Sequence, residues 1–143
     1  MEALLRHEPP RGPCSQIEDQ LYRECCELVR AVARFGWRPA KLASVLAEGH
    51  EATESAVLQH LFLIDPLMRS SLDALGDNPR SHAAGFLLGL DADTAGRLRK
   101  HRRSAAARAM NLMVESFVKH HEPGILADLG VELYRLRLLG DAL

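Results

Sequence analysis

Apolar residues recur along this chain at intervals of three and four, the spacing that gathers side chains on one side of an α-helix. Ile17, Leu21, Cys25, Leu28, Val32 and Phe35 form the clearest such stripe. Ser15 and Glu18 stand before it at capping-box spacing, and Gly36 follows it where a helix commonly closes on a left-handed residue. The pattern predicts a first helix from Ser15 to Phe35. Trp37-Arg38-Pro39 then opens a short second helix ending near Gly49, with proline at its first position and Trp37 placed to staple onto Leu42.

The next segment carries Glu51 and Glu54 in its first turn and Val57, Leu58, Leu61, Phe62 and Ile64 as its expected buried side. Asp65-Pro66 and Asn78-Pro79 each combine a capping residue with a proline, so each is expected to restart a helix. The run from Arg80 to Leu90 is apolar nearly all round and belongs at the centre of a core. Asp91 and Asp93 open a stretch without proline until Pro123, which reads as one helix of about 30 residues, on the order of 45 Å. A domain of this size has a radius of gyration of about 14 to 15 Å, so that helix is expected to overhang the core or to bend at Gly96. A last helix from Pro123 to Gly140 has Leu126, Leu129, Leu133 and Leu136 as its stripe. No alternating run, internal repeat or low-complexity tract interrupts the series. The fold class expected is all-α: a leader over residues 1–14, then a single-domain bundle of about six to seven helices over 15–143, with no sheet.

Composition agrees with a globular chain. Of 143 residues, 47% are hydrophobic and 26% charged, and the net charge of -1 gives no overall instruction about partners. The longest apolar stretch, Ala83 to Leu90, falls far short of the roughly 20 residues needed to span a bilayer, so no membrane association is expected. The first thirteen residues mix acidic and basic side chains and lack a secretory apolar segment. Cys14, Cys25 and Cys26 are odd in number, and the adjacent pair on a helix points in divergent directions. Unpaired thiols and a cytoplasmic location are the expectation.

Charge becomes informative only locally. Arg97, Arg99, Lys100, Arg102, Arg103 and Arg108 cluster in a span with no acidic residue between Asp93 and Glu115. On a helical wheel Leu98, Ala105, Ala109, Leu112, Met113 and Ser116 share one face, and Arg102 falls at its centre. Either the basic turns overhang the core, or Arg102 is partly buried beside a carboxylate. A cluster of this kind supplies the salt-dependent part of nucleic-acid affinity, although no aromatic residue is interleaved for base stacking. A solvated or salt-bridged surface produces the same pattern.

Other constellations are weaker. Residues 39–48 followed by 52–63 have a helix-turn-helix outline, but Glu51 and Glu54 would sit at the phosphate-facing end of the second helix. His50, Glu51, Glu54 and His60, or His120, His121 and Glu122, lack the spacing of helical metal sites, so no metal and no cofactor is expected. Cys25-Cys26 lacks Cys-x-x-Cys spacing, and there is no nucleophile elbow, P-loop or dinucleotide fingerprint. The run from Gln16 to Ile64, centred on Phe35-Gly36-Trp37-Arg38-Pro39-Ala40-Lys41-Leu42, resembles a helical module of actinobacterial proteins of unknown function. That resemblance covers about a third of the chain, implies an α-helical bacterial protein and supplies no catalytic residue.

The sequence therefore points first to a non-enzymatic helical interaction or regulatory module, homodimeric through leftover apolar helix surface or bound to a protein partner. The alternative is a nucleic-acid-binding regulator using Arg97 to Arg108. A small-molecule or metal-dependent helical enzyme comes third and requires a deep polar pocket in the bundle.

Overall fold

The computed structural model describes residues 13–48 and 53–142, and within them seven helices and no strand. The elements are α1 (Pro13–Phe35), α2 (Pro39–Ala47), α3 (Glu54–Ala74), α4 (Pro79–Leu88), α5 (Arg99–Ala109), α6 (Val114–His120) and α7 (Glu122–Ala142). The all-α expectation holds. Three extensive helix pairings build the bundle: α4 against α5, α1 against α7, and α2 against α3, with α3 also lying along α7.

α1 buries Cys25, Leu28, Val29, Val32 and Ala33, so its core face is the expected stripe widened by the neighbouring positions. It already includes Pro13 and Cys14, two positions earlier than Ser15 suggested, and the side chain of Ser15 lies outside the described residues. Tyr22 meets Tyr134 of α7 edge to face, with ring centroids 5.4 Å apart. Cys25 is fully buried and Cys26 half-buried, both as free thiols; burial pushes the Cys25 thiol upward, against a smaller lowering from Arg137. Cys14, like Glu51 and His50, is outside the residues whose side chains are described.

The structure departs from the pattern-based expectation at two places. Asp65-Pro66 does not restart a helix: α3 runs unbroken from Glu54 to Ala74 with Pro66 inside it. Its buried residues Leu61, Ile64, Met68 and Ser71 stay in helical register across the proline, so breaking the helix would forfeit a continuous core face. Pro66 and Phe62 are both exposed, which puts the lost backbone bond on the side where water can replace it. Asp65 instead pairs with Arg69 one turn on, at 3.1 Å, and Thr53 is the cap, accepting from the Ala56 amide.

The second departure is the predicted 30-residue helix, which is a turn segment followed by two helices, α5 and α6. Asp91 and Asp93 do not begin it; the Asp93 amide donates to the Asp91 carboxylate at 2.8 Å, and the Thr94 hydroxyl donates back to the Phe86 carbonyl at 2.9 Å, holding residues 91–97 in turns against α4. After Ala109 the chain turns again at Asn111, which adopts φ 57°. Asparagine is among the few non-glycine residues that tolerate this left-handed conformation. No overhang is needed once the segment is divided. The last helix starts at Glu122, continues through Gly140, and buries Ile125, Leu129 and Leu133, with Leu126 and Leu136 half-buried.

α4 is the most enclosed element, as its composition suggested. Asn78 caps it reciprocally with Ser81, and Ala83, Ala84, Leu87 and Leu88 are fully buried. Its C-terminal end, the end of α1 and the start of α5 meet at one point, where the basic segment enters the core.

Candidate functional site

A helix leaves its last carbonyls without intrahelical partners, and two helix ends buried together need donors from elsewhere. Arg102, on the second turn of α5, supplies them. Its guanidinium donates through Nη1 to the carbonyls of Ala33 and Leu87, through Nη2 to Arg34 at 3.0 Å, and through Nε to Arg97 at 3.0 Å. Ala33 and Arg34 close α1, and Leu87 closes α4, so one cation lies against the negative ends of two helix dipoles. The Trp37 amide adds a bond to the Leu88 carbonyl at 2.8 Å, sewing the same two ends together. Arg102 is 1% exposed.

Two glycines make room for this arrangement. Gly36 and Gly89 follow α1 and α4 with φ of 82° and 73°, a conformation that side-chain-bearing residues rarely adopt. A Cβ on Gly36 would lie 3.4 Å from Arg102 Nε, and one on Gly89 would lie 3.3 Å from its Cδ. The expectation that Arg102 is buried beside a carboxylate is therefore corrected: backbone carbonyls take that role, and the basic turns do not overhang. The face buried by α5 is Arg102, Ala106 and Ala107, whereas Leu98 and Met113 are exposed. Burial lowers the Arg102 pKa, followed by repulsion from Arg99, Arg103 and Arg38, with Glu122 acting oppositely. A guanidinium nonetheless stays protonated in proteins.

Arg103 has a second structural partner. Its Nε and Nη2 donate to the two carboxylate oxygens of Glu122 at 2.9 and 2.7 Å, the fork-to-fork geometry that suits arginine. Glu122 is buried at the start of α7, and Arg99 reaches the same carboxylate less closely, at 3.6 Å. Arg99 Nε is itself buried without a hydrogen-bond partner among the described residues, and burial, then Arg103, lowers its pKa.

The six basic residues singled out from sequence thus separate. Arg102 and Arg103 are committed to internal contacts, Arg99 is shared between Glu122 and the surface, Arg97 and Lys100 face solvent, and Arg108 is exposed at the far end of α5. In exchange the fold brings cations from another part of the chain to the start of α5. Arg34 and Lys41 both lie over the ring of Phe35, at 5.1 and 5.6 Å from its centroid, and Arg34 is close enough to Arg99 to lower its pKa. Arg38 bears on Arg102 in the same way. Neither Arg34 nor Arg38 was signalled by the local charge run, because some sixty residues separate them from it and they reach it through the helix-end junction, and Lys41 joins Arg34 only through the ring of Phe35.

Elsewhere, a surface cleft of about 480 Å³ between α1, α2, α3 and α7 places Glu24, Glu27, His60 and Arg137 over Leu28 and Leu61. Burial, then Arg137, lowers the His60 pKa. Among the described residues no group of three or more His, Cys, Asp or Glu side chains is arranged to hold a metal, and no helix is long and apolar enough to cross a membrane. Comparison with protein-family models, with curated proteins and with solved structures finds no match to this chain.

Proposed function

We propose that this chain is a non-enzymatic helical interaction module that pairs with a second copy of itself through the outer side of α3. The observation that carries the reading is the exposure of Phe62 and Leu63, 62% and 75% respectively, side by side on a helix whose opposite side is core. Pro66, one turn further, is also exposed and extends the apolar surface. These residues sit at the middle of a 21-residue helix. Two copies of α3 crossing antiparallel about a two-fold axis bring each group onto its own counterpart, which is the requirement of an isologous interface. The acidic residue beside the patch supports a structural reading, since Asp65 is engaged by Arg69.

Sedimentation equilibrium on the intact chain tests this. The expected result is a dimer that Phe62→Asp with Leu63→Asp converts to a folded monomer, while the equally exposed but distant Met113→Asp leaves the dimer intact. A monomer at all concentrations, or a dimer indifferent to the α3 substitutions, overturns the reading.

A further inference from the structure

We propose that the basic band formed by Arg34, Arg38 and Lys41 with Arg97, Arg99 and Lys100 is a binding site for the phosphodiester backbone of a nucleic acid. It is a different surface from α3 and stands or falls independently of the pairing proposed above.

Three observations carry it. First, the band is assembled by tertiary structure and held rigidly. Arg102 bonds the backbone of both Arg34 and Arg97, so the two cation-bearing segments are fixed to one another through the same guanidinium. Second, its charge is uncompensated. Among the described residues Arg34, Arg38, Lys41, Arg97 and Lys100 have no ion-pair partner, and the one carboxylate that approaches, Glu122, is held bidentately by Arg103. A chain of net charge -1 therefore keeps a local excess of positive charge at one end of its bundle. Third, an unused donor remains, because Arg99 Nε is buried without an acceptor among the described residues. Buried polar groups ordinarily find partners, and an anion at the rim of the band would provide one.

The ligand class follows from the donors. Guanidinium groups dominate the set, and they match phosphate oxygens bidentately. The cations extend from the end of α1 through the start of α2 to the start of α5, more than a single anion can neutralise, so a ligand with repeated charges fits. Phe35 lies beneath Arg34 and Lys41 and holds their charged ends by cation-π attraction, so it orients donors to the backbone. Recognition of this kind is independent of base sequence.

Fluorescence anisotropy with labelled duplex DNA and single-stranded RNA of equal length tests the site on the full chain, with poly-glutamate as competitor. Neutralising about four phosphates predicts that affinity falls roughly a hundredfold between about 50 and 200 mM salt. Arg34→Gln with Lys41→Gln should weaken binding at least about tenfold and flatten that dependence, and Lys100→Gln, remote from any internal contact, should do so in smaller measure. Arg108→Gln at the opposite end of α5 should change nothing. Tighter binding of duplex or of single strand identifies which nucleic acid the band serves. Absence of binding to both at low salt, equal loss from Arg108→Gln, or competition by poly-glutamate as strong as by nucleic acid at equal charge overturns the proposal, the last result indicating an acidic protein partner instead.

Discussion

The inner and outer sides of α5 both carry cations, and those cations have opposite roles. Inward, Arg102 and Arg103 are structural residues: one closes two helices from inside the core, and the other anchors α7 through Glu122. Outward, Lys100, with Arg97 just before the helix, meets water and joins cations from α1 and α2. The difference is set by what each side chain finds within reach. A cation facing orphan carbonyls or a buried carboxylate becomes part of the fold, whereas one facing solvent remains available to a ligand. A run of basic residues is accordingly a poor marker of function until its partners are known.

The sharpest way to break this contrast is to remove the guanidinium while keeping its apolar stem. Arg102→Met leaves several buried carbonyls unpaired, each worth about 1 to 3 kcal/mol, so denaturant unfolding should show a loss of at least about 3 kcal/mol. Lys100→Met on the outer side should stay within about 0.5 kcal/mol of the parent. Arg102→Lys should recover a minor part of the loss, since an ammonium cannot present the planar fork that reaches both helix ends.

A smaller effect is expected at the second inner contact. Arg103→Ala leaves the Glu122 carboxylate buried with Arg99 at 3.6 Å as its remaining cation, and should destabilise by about 2 to 3 kcal/mol. Combining Arg103→Met with Glu122→Met should cost less than the single change, because a buried ion pair replaced as a unit leaves no orphaned charge. A double-mutant cycle that adds without coupling would remove Glu122 from the inner set.

Gly89→Ala tests the space around Arg102 without touching its charge. A left-handed φ of 73° and a new Cβ 3.3 Å from the Arg102 side chain should together cost about 1 to 2 kcal/mol. The smallest effect concerns pH and lies away from α5. The His60 pKa is lowered below 6.5 in the fold by burial and by Arg137. The unfolded chain therefore binds the proton more readily, and His60 contributes stability above about pH 6.5 that declines as pH falls through that value. His60→Gln should make the acid limb of the stability profile slightly shallower, and a steeper limb would contradict the assignment.

Much of this architecture could be read from punctuation. Gly36 closing α1, Pro39 opening α2, and Asn78-Pro79 opening α4 stand where glycine, proline and capping chemistry placed them. The same rules misled at Asp65-Pro66, where a continuous core stripe outweighed one lost hydrogen bond. They were silent at Asn111, whose left-handed turn carries neither glycine nor proline to announce it. Arg102 was conspicuous as a cation on an apolar face, and its burial was one of two readings available. Its actual partners were beyond reach, because backbone carbonyls leave no mark in a sequence. The contribution of Arg34, Arg38 and Lys41 was hidden for a related reason, since proximity across the helix-end junction depends on how α1, α4 and α5 pack.

The most direct test of the account is the solvent exchange and rotation of the Arg102 guanidinium, observed by nitrogen-15 NMR of its Nε and Nη protons. Four internal hydrogen bonds predict an Nε proton protected from exchange and Nη signals that remain resolved as rotation about the Cζ bonds is blocked, unlike those of Arg97 and Arg108. An Arg102 guanidinium that exchanges and rotates as freely as those two exposed arginines would contradict the division of α5 into a structural side and a ligand-facing side.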